Sequence, residues 1–276
     1  MVRKTFRDKT GKPSLIGHRG AGRGLVEFQG GYVRENTIES FTAAIEAGAS
    51  WIETDVVQTS DGELFIHHDT LLHNGEAIYN LESQRARILG MTSLQEAFEN
   101  IPENIGMIVE VKHVLEDTYG QEIRVGSSNP FSTVELTARA LVNEKIKRPN
   151  RRLVSYGFSD SIPIELEKNL SGSEIDLGVI AEGGTSLIGM ILTAQSMEVS
   201  IVSAHVTSLL GERAVTQLQP YDLESVLGQA HRLGIEVICW CPGIEESKIL
   251  LAAGVDGVCV DNAPVNIPAL QMYLQG

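Results

Sequence analysis

The chain has 276 residues, of which 42% are hydrophobic, and carries 36 acidic against 22 basic side chains for a formal charge of −14. That length can bury a sizeable core, as one large α/β domain or two small ones. The acidic balance disfavours nucleic acid or an anionic membrane surface as a partner, because no long basic face exists to neutralise phosphates, whereas a small anionic substrate needs only a few local cations. No segment approaches transmembrane length and the first residues hold no apolar run of signal-peptide type, so no stable membrane insertion is expected and the expected location is cytoplasmic. Cys239, Cys241 and Cys259 fit no zinc spacing and lie in apolar runs, which reads as small buried hydrophobes in a reducing compartment.

In chain order, eight apolar runs read as buried parallel strands: SLIGH, WIETD, MIVEVK, RLVSYG, LGVIAE, SIVSAH, EVICWC and GVCVD. Helix-like segments lie between them, and three end at a glycine (Gly48, Gly234, Gly254) shortly before the next β-branched run. Asn36 with Glu39 reads as a capping box ahead of Ile38, Phe41 and Ile45, and Ser132 with Glu135 as another ahead of Leu136 and Ala140. ELFIHH is a ninth strand-like run, but the tight Asp61-Gly62 turn before it joins antiparallel strands, so residues 56–67 are expected to form a hairpin above the end of the second strand. Eight βα units with one excursion predict a (β/α)8 barrel, a single domain over 1–276. Residues 113–131 carry the least pattern and are expected as a long loop above the barrel.

In such a barrel the residues at the carboxyl ends of the strands face the site. His18 ends the first strand, Glu53 and Asp55 the second, and Glu110 and Lys112 the third; Glu182, His205 and Trp240 end later ones. Side chains alternate along a strand, so Glu53 and Asp55 point the same way, as do Glu110 and Lys112. Three carboxylates converging in a barrel mouth repel one another unless a cation sits between them, and hard oxygen donors suit Mg²⁺ or Ca²⁺ better than zinc.

The ordered motifs HRG (18–20), ENT (35–37), E-x-D (53–55), HD (68–69) and E-x-K (110–112) resemble those of the glycerophosphodiester phosphodiesterases. The resemblance spans roughly residues 14–112 and continues more weakly at Trp240 and over 253–264. It implies a divalent metal, Mg²⁺ or Ca²⁺, held by Glu53, Asp55 and Glu110, two catalytic histidines as general acid and base, and Arg19 and Lys112 as cations facing a small phosphodiester. His18 matches the first histidine. Of the adjacent pair His67 and His68, the offset from the turn and the aspartate that follows select His68. The implied reaction releases glycerol 3-phosphate and an alcohol, the attacking group being either a neighbouring glycerol hydroxyl or water. Trp240 is expected either along the glycerol or alcohol portion or in the core, with His205 and Glu182 lining the pocket. The chain departs from the family at 21–34, a longer loop whose four glycines suggest a mobile flap; at 69–92, a reduced insertion; and at Trp240-Cys241-Pro242-Gly243 and Val260-Asp261-Asn262-Ala263-Pro264. The pocket that selects the alcohol is thereby altered. The alternatives are a lysophospholipase D-like activity and a non-catalytic binding protein on the same barrel.

Overall fold

The strands run in chain order as β1 (Ser14–Gly17), β2 (Leu25–Phe28), β3 (Gly31–Arg34), β4 (Trp51–Gln58), β5 (Leu64–Ile66), β6 (Gly106–Val111), β7 (Leu153–Tyr156), β8 (Asp176–Ala181), β9 (Ile201–His205), β10 (Glu236–Trp240) and β11 (Gly257–Val260). The computed structural model describes residues 5–112, 131–211 and 222–275. The helices are α1 (Ile38–Glu46), α2 (Ser83–Ile88), α3 (Leu94–Asn100), α4 (Phe131–Lys147), α5 (Ser161–Leu170), α6 (Leu187–Ser196), α7 (Val206–Leu210), α8 (Leu223–Arg232), α9 (Ile244–Ala253) and α10 (Ala263–Tyr273). β1, β4 and β6 to β11 are parallel neighbours, and β1 pairs with both β11 and β4, which closes the (β/α)8 barrel.

The continuous hydrophobicity of the strands follows from burial on both faces. Along each strand one parity points into the barrel and the other against the helices. Ile16, Trp51, Ile108, Val154 and Ile238 fill the interior. Their neighbours Leu15, Ile52, Val109, Leu153 and Val237 pack outward in the larger layer beneath the helices. Phe6 plugs the bottom, its ring 4.6 Å from that of Trp51, with its backbone N–H and that of Thr5 donating to the Glu236 carboxylate. Phe6→Ala is expected to lower the unfolding free energy by about 3–5 kcal/mol in a urea titration, because a fully buried ring is removed from a closed bottom. A loss under about 1 kcal/mol would show that the barrel is sealed without it.

Several local expectations are corrected. Thr37, not Asn36, caps α1, accepting from the Ser40 N–H at 3.2 Å. α4 already includes Phe131, so Ser132 lies within the helix rather than at its cap. The long loop expected at 113–131 falls outside the described residues except for Phe131, which opens that helix. The glycine punctuation behaves as expected, with Gly48, Gly234 and Gly254 all in the left-handed region.

Residues 21–34, read as a mobile flap, form the antiparallel β2–β3 hairpin. Sequence composition suggested that it had little to bury, yet Val26 is buried with Ala21 and Ala43, and Phe28 and Val33 pack on that group. The second excursion follows expectation. β5 lies antiparallel on the end of β4, Val56 opposite Ile66, with Gly62 at φ 84° in the turn. Beyond it, residues 69–92 carry a single 3₁₀ turn (Ile78–Asn80) and α2, held by a satellite cluster of Val57, Phe65, Ile78, Leu81 and Ala86.

Candidate active site

The inward parity that carries Ile16, Trp51, Ile108 and Ile238 up the barrel continues to His18, Glu53 and Asp55, Glu110 and Lys112, and Trp240. At the carboxyl ends of the strands the apolar filling therefore gives way to polar side chains without any change of register. They open into one cavity of about 750 Å³, lined among others by His18, Arg19, His68, Lys112, Phe158 and Trp240.

Carboxylate oxygens of Glu53, Asp55 and Glu110 all lie within 4.8 Å of one another, and all three residues are buried. Lys112 Nζ sits 2.9 Å from Asp55 Oδ1 and donates to Glu110 Oε1 as well. Burial and the charges of Asp55 and Glu110 push Glu53 well above the ordinary carboxylate range. Burial likewise raises Glu110, against the pull of Lys112. Burial acts on Asp55 in the same sense, but Lys112, His68 and Arg19 outweigh it and hold that carboxyl low. The chain's own cations, Lys112 and Arg19, thus offset three crowded acids only in part, and the all-oxygen donor set fits a hard dication.

The neighbouring contacts orient this group. Arg19 donates its backbone N–H to Glu53 Oε2 at 2.9 Å, and its guanidinium lies 3.0 Å from Glu35 and 3.5 Å from Asp55. Asn36 donates from Nδ2 to Asp55 Oδ2 and accepts from Thr54 Oγ1, both at 2.9 Å. Among the described residues, four of the six non-glycine residues with positive φ, namely Arg19, Asn36, Cys241 and Asn262, belong to this end of the barrel. Left-handed backbone at such residues costs about 1 kcal/mol or more and persists only where the surroundings fix it.

The two histidines stand differently. His18 is buried and its Nδ1 is 2.8 Å from Asp261 Oδ1, with Nε2 3.9 Å from Glu53. Asp261 is further bound by the Arg23 backbone and guanidinium at 3.0 and 2.7 Å. Burial alone would raise Asp261, but its hydrogen bond with His18 and the contacts of Arg23 bring it down to about 2. His68 lines the cavity, its Nδ1 2.8 Å from the Asp69 carboxylate; His67 instead meets the Asp69 backbone carbonyl at 2.7 Å. Burial, the Lys112 charge and Arg19 keep His68 below the ordinary histidine value.

Trp240 lines the cavity, edge-on to Phe158 at 6.0 Å and to His205 at 4.3 Å. Its indole Nε1 is buried and has no hydrogen-bond partner among the described residues. Glu182 lines the cavity as expected, but His205 does not: its ring meets Trp240 edge-on and caps α7 by accepting from the Thr207 N–H. Cys239 and Cys259 are buried as expected, whereas Cys241 is only half-buried and puts its Sγ 3.7 Å from His18 Nδ1. Sequence reasoning passed over Asp261, the polar role of Asn36, and Phe158. The rule that strand ends face the site would have found Asp261, which directly follows β11, and Phe158, two residues past Tyr156 on the parity of Val154; the ENT motif marks Asn36 but not the contact it makes.

Fold and site together define a (β/α)8 barrel whose carboxyl end gathers three carboxylates, two histidines, an arginine and a lysine around one cavity. The profile of the glycerophosphoryl diester phosphodiesterase family matches residues 18–265. A glycerophosphocholine phosphodiesterase of Eremothecium gossypii is 24% identical over 90% of this chain and 25% of its own length, and one from Homo sapiens is 21% identical over 90% and 44%. The chain thus spans between a quarter and a half of the curated relatives it matches along most of its length. Among solved structures, a glycerophosphodiester phosphodiesterase of Thermotoga maritima aligns with TM-score 0.66 at 20% identity, covering 95% of this chain and 98% of that one. A phosphodiesterase of Oleispira antarctica in complex with the product sn-glycerol-3-phosphate aligns with TM-score 0.65 at 17% identity, covering 97% and 98%. The chain belongs to the glycerophosphoryl diester phosphodiesterase family.

Proposed function

We propose that the protein hydrolyses glycerophosphodiesters to glycerol 3-phosphate and an alcohol, with Glu53, Asp55 and Glu110 holding a divalent cation, Mg²⁺ or Ca²⁺, and His18 and His68 exchanging protons with the substrate. The observation that carries this reading is one cavity lined by both histidines, three crowded carboxylates and two cations. A bound dication supplies charge neutralisation of the phosphodiester and stabilises the extra negative charge of its transition state.

The remaining roles fall to the chain's own groups. Arg19 and Lys112 are placed to attract the anionic phosphate and to share the developing charge. With its Nδ1 proton donated to Asp261, His18 keeps Nε2 as a free acceptor, the state required of a general base. His68, beside the Asp69 carboxylate, is the candidate proton donor to the departing alcohol. Phe158 and Trp240 offer apolar surface for the glycerol or alcohol portion. Three free cysteines accord with a reducing cytoplasm. Among the described residues no helix is long and apolar enough to cross a membrane.

The test is turnover of a panel of glycerophosphodiesters and a detergent-dispersed lysophospholipid, after chelation and re-addition of Mg²⁺, Mn²⁺ or Ca²⁺. Metal-dependent release of glycerol 3-phosphate from the water-soluble diesters is expected. No turnover of any member with any of the three metals would leave only the binding-protein reading.

The pH profile carries a further expectation. A general acid must be protonated, and His68 is depressed in the free protein by burial and by Lys112. kcat/KM reports the free enzyme, so it should fall as pH rises through that lowered value, below the ordinary histidine figure of about 6.5. Bound phosphate adds negative charge beside the ring and raises its pKa, so the alkaline limb of kcat should lie at higher pH than that of kcat/KM. Coincident limbs would remove His68 as the donor.

A further inference from the structure

A second group of metal-ligating atoms stands beside the carboxylate cluster. His18 Nδ1, Cys241 Sγ and an Asp261 carboxylate oxygen all lie within 4.8 Å of one another. The sulfur is 3.7 Å from Nδ1, and Nδ1 is 2.8 Å from Oδ1. A tetrahedral zinc ion, with Zn–S about 2.3 Å and Zn–N or Zn–O about 2.0–2.1 Å, sets its ligand atoms about 3.4–3.6 Å apart. The S···N separation already matches, and the N···O pair must open by roughly half an ångström.

Chemistry separates this group from the three carboxylates. Those offer oxygen alone and suit hard cations, whereas sulfur, imidazole nitrogen and one carboxylate suit a borderline-soft one. The sulfur is available because of the local backbone. Cys241 follows β10 in the left-handed region at φ 56°, its N–H donating to the Cys259 carbonyl at 3.0 Å, and this turn brings Sγ to His18. Cys239 and Cys259 are buried in the barrel wall and belong to neither donor group.

We propose that His18, Cys241 and Asp261 form a second, inhibitory site for a thiophilic divalent cation of the zinc class, completed by water. On binding, the Cys241 thiol proton leaves to solvent and the His18 proton moves from Nδ1 to Nε2, so that Sγ, Nδ1 and an Asp261 oxygen each give an electron pair to the metal. The consequence for the reaction follows from the tautomer. His18 with a metal on Nδ1 carries its proton on Nε2, the nitrogen that must accept one, and Asp261 is withdrawn from orienting the ring.

Cobalt(II) added to the full chain in the presence of excess Mg²⁺ is the direct probe, since a cobalt–thiolate bond gives a near-ultraviolet charge-transfer band. The band is expected in the wild type, displaced by zinc, absent in Cys241→Ser and in Cys241→Ala, and retained in Glu53→Gln. In parallel, the zinc concentration that halves Mg²⁺-supported turnover should rise at least about tenfold in Cys241→Ser, with zinc-free turnover near wild type. No band in the wild type, or one that survives both cysteine variants, overturns the site. So does a band lost in Glu53→Gln, which would place the cobalt among the carboxylates. The spectral readout does not require turnover, so failure of the site and failure of the phosphodiesterase reading are distinguishable.

Discussion

Glu53→Ala, Asp55→Ala and Glu110→Ala are each expected to reduce kcat/KM by about 10³-fold or more and to weaken divalent-metal binding, while the barrel remains folded. The magnitude follows from charge stabilisation by a metal being worth several kcal/mol, at 1.36 kcal/mol per tenfold. Asp55 should be the most damaging of the three. It lies at the centre of the network, touching Lys112, Arg19 and Asn36 as well as the other two acids. Folding should tolerate the changes because these residues lie above the apolar filling of the barrel rather than within it. Indeed Glu53→Gln should stabilise the metal-free protein at neutral pH. Burial raises the folded-state pKa of Glu53 above its unfolded value, so its ionised form opposes folding at neutral pH, and the advantage of the variant should vanish as pH falls toward the ordinary glutamate value of about 4.3. Calorimetry with Mg²⁺ and Ca²⁺ and thermal melts of the metal-free variants check both halves. Unchanged metal affinity in all three alanine variants would defeat the ligand assignment.

His68→Ala should lower kcat by about 10²–10⁴-fold, the usual contribution of general acid–base catalysis, and His67→Ala by far less. The two side chains are adjacent in sequence yet serve different surroundings. His68 faces the cavity with its Nδ1 on the Asp69 carboxylate, whereas the His67 ring is tied to the Asp69 backbone carbonyl and does not line the cavity. Asp69 therefore holds both, one through each of its groups. His18→Ala should match His68→Ala on substrates with a poor leaving group. A nitrophenyl ester, whose departing group needs no proton, should restore turnover to the acid variant alone, expected to be His68→Ala. A loss confined to His67→Ala would reverse the assignment of the pair.

The legibility of the barrel in the sequence has a specific cause. A strand buried on both faces must be apolar at every position, and a helix that turns back to the next strand ends most cheaply at a glycine, as at Gly48, Gly234 and Gly254. Both requirements are local and survive in the one-dimensional chain. The β4–β5 hairpin was legible for the same reason, since an Asp-Gly turn permits only an antiparallel return. The β2–β3 hairpin was not, because its glycines report backbone freedom while the burial of Val26 against Ala43 depends on a helix that the loop itself precedes.

The candidate site divides along the same line. By itself the sequence determined that His18, Glu53, Asp55, Glu110 and Lys112 share one end and one face, because strand parity is a property of the chain: each lies an even number of residues from an interior Ile16, Trp51 or Ile108. Only the tertiary structure decided what those groups meet. Asp261 is 243 positions from His18 in the chain and 2.8 Å away in space, joined because β11 closes the barrel beside β1. Asn36 reads locally as a helix cap, and becomes a partner of Asp55 because Thr37 takes the cap and a left-handed residue turns the amide inward. Cys241 reads as a core hydrophobe, and reaches His18 because the chain turns left-handed just after β10. Parity acts over two residues and is written in the chain, whereas ring closure and backbone handedness at a strand end are set by neighbours that sequence distance does not encode.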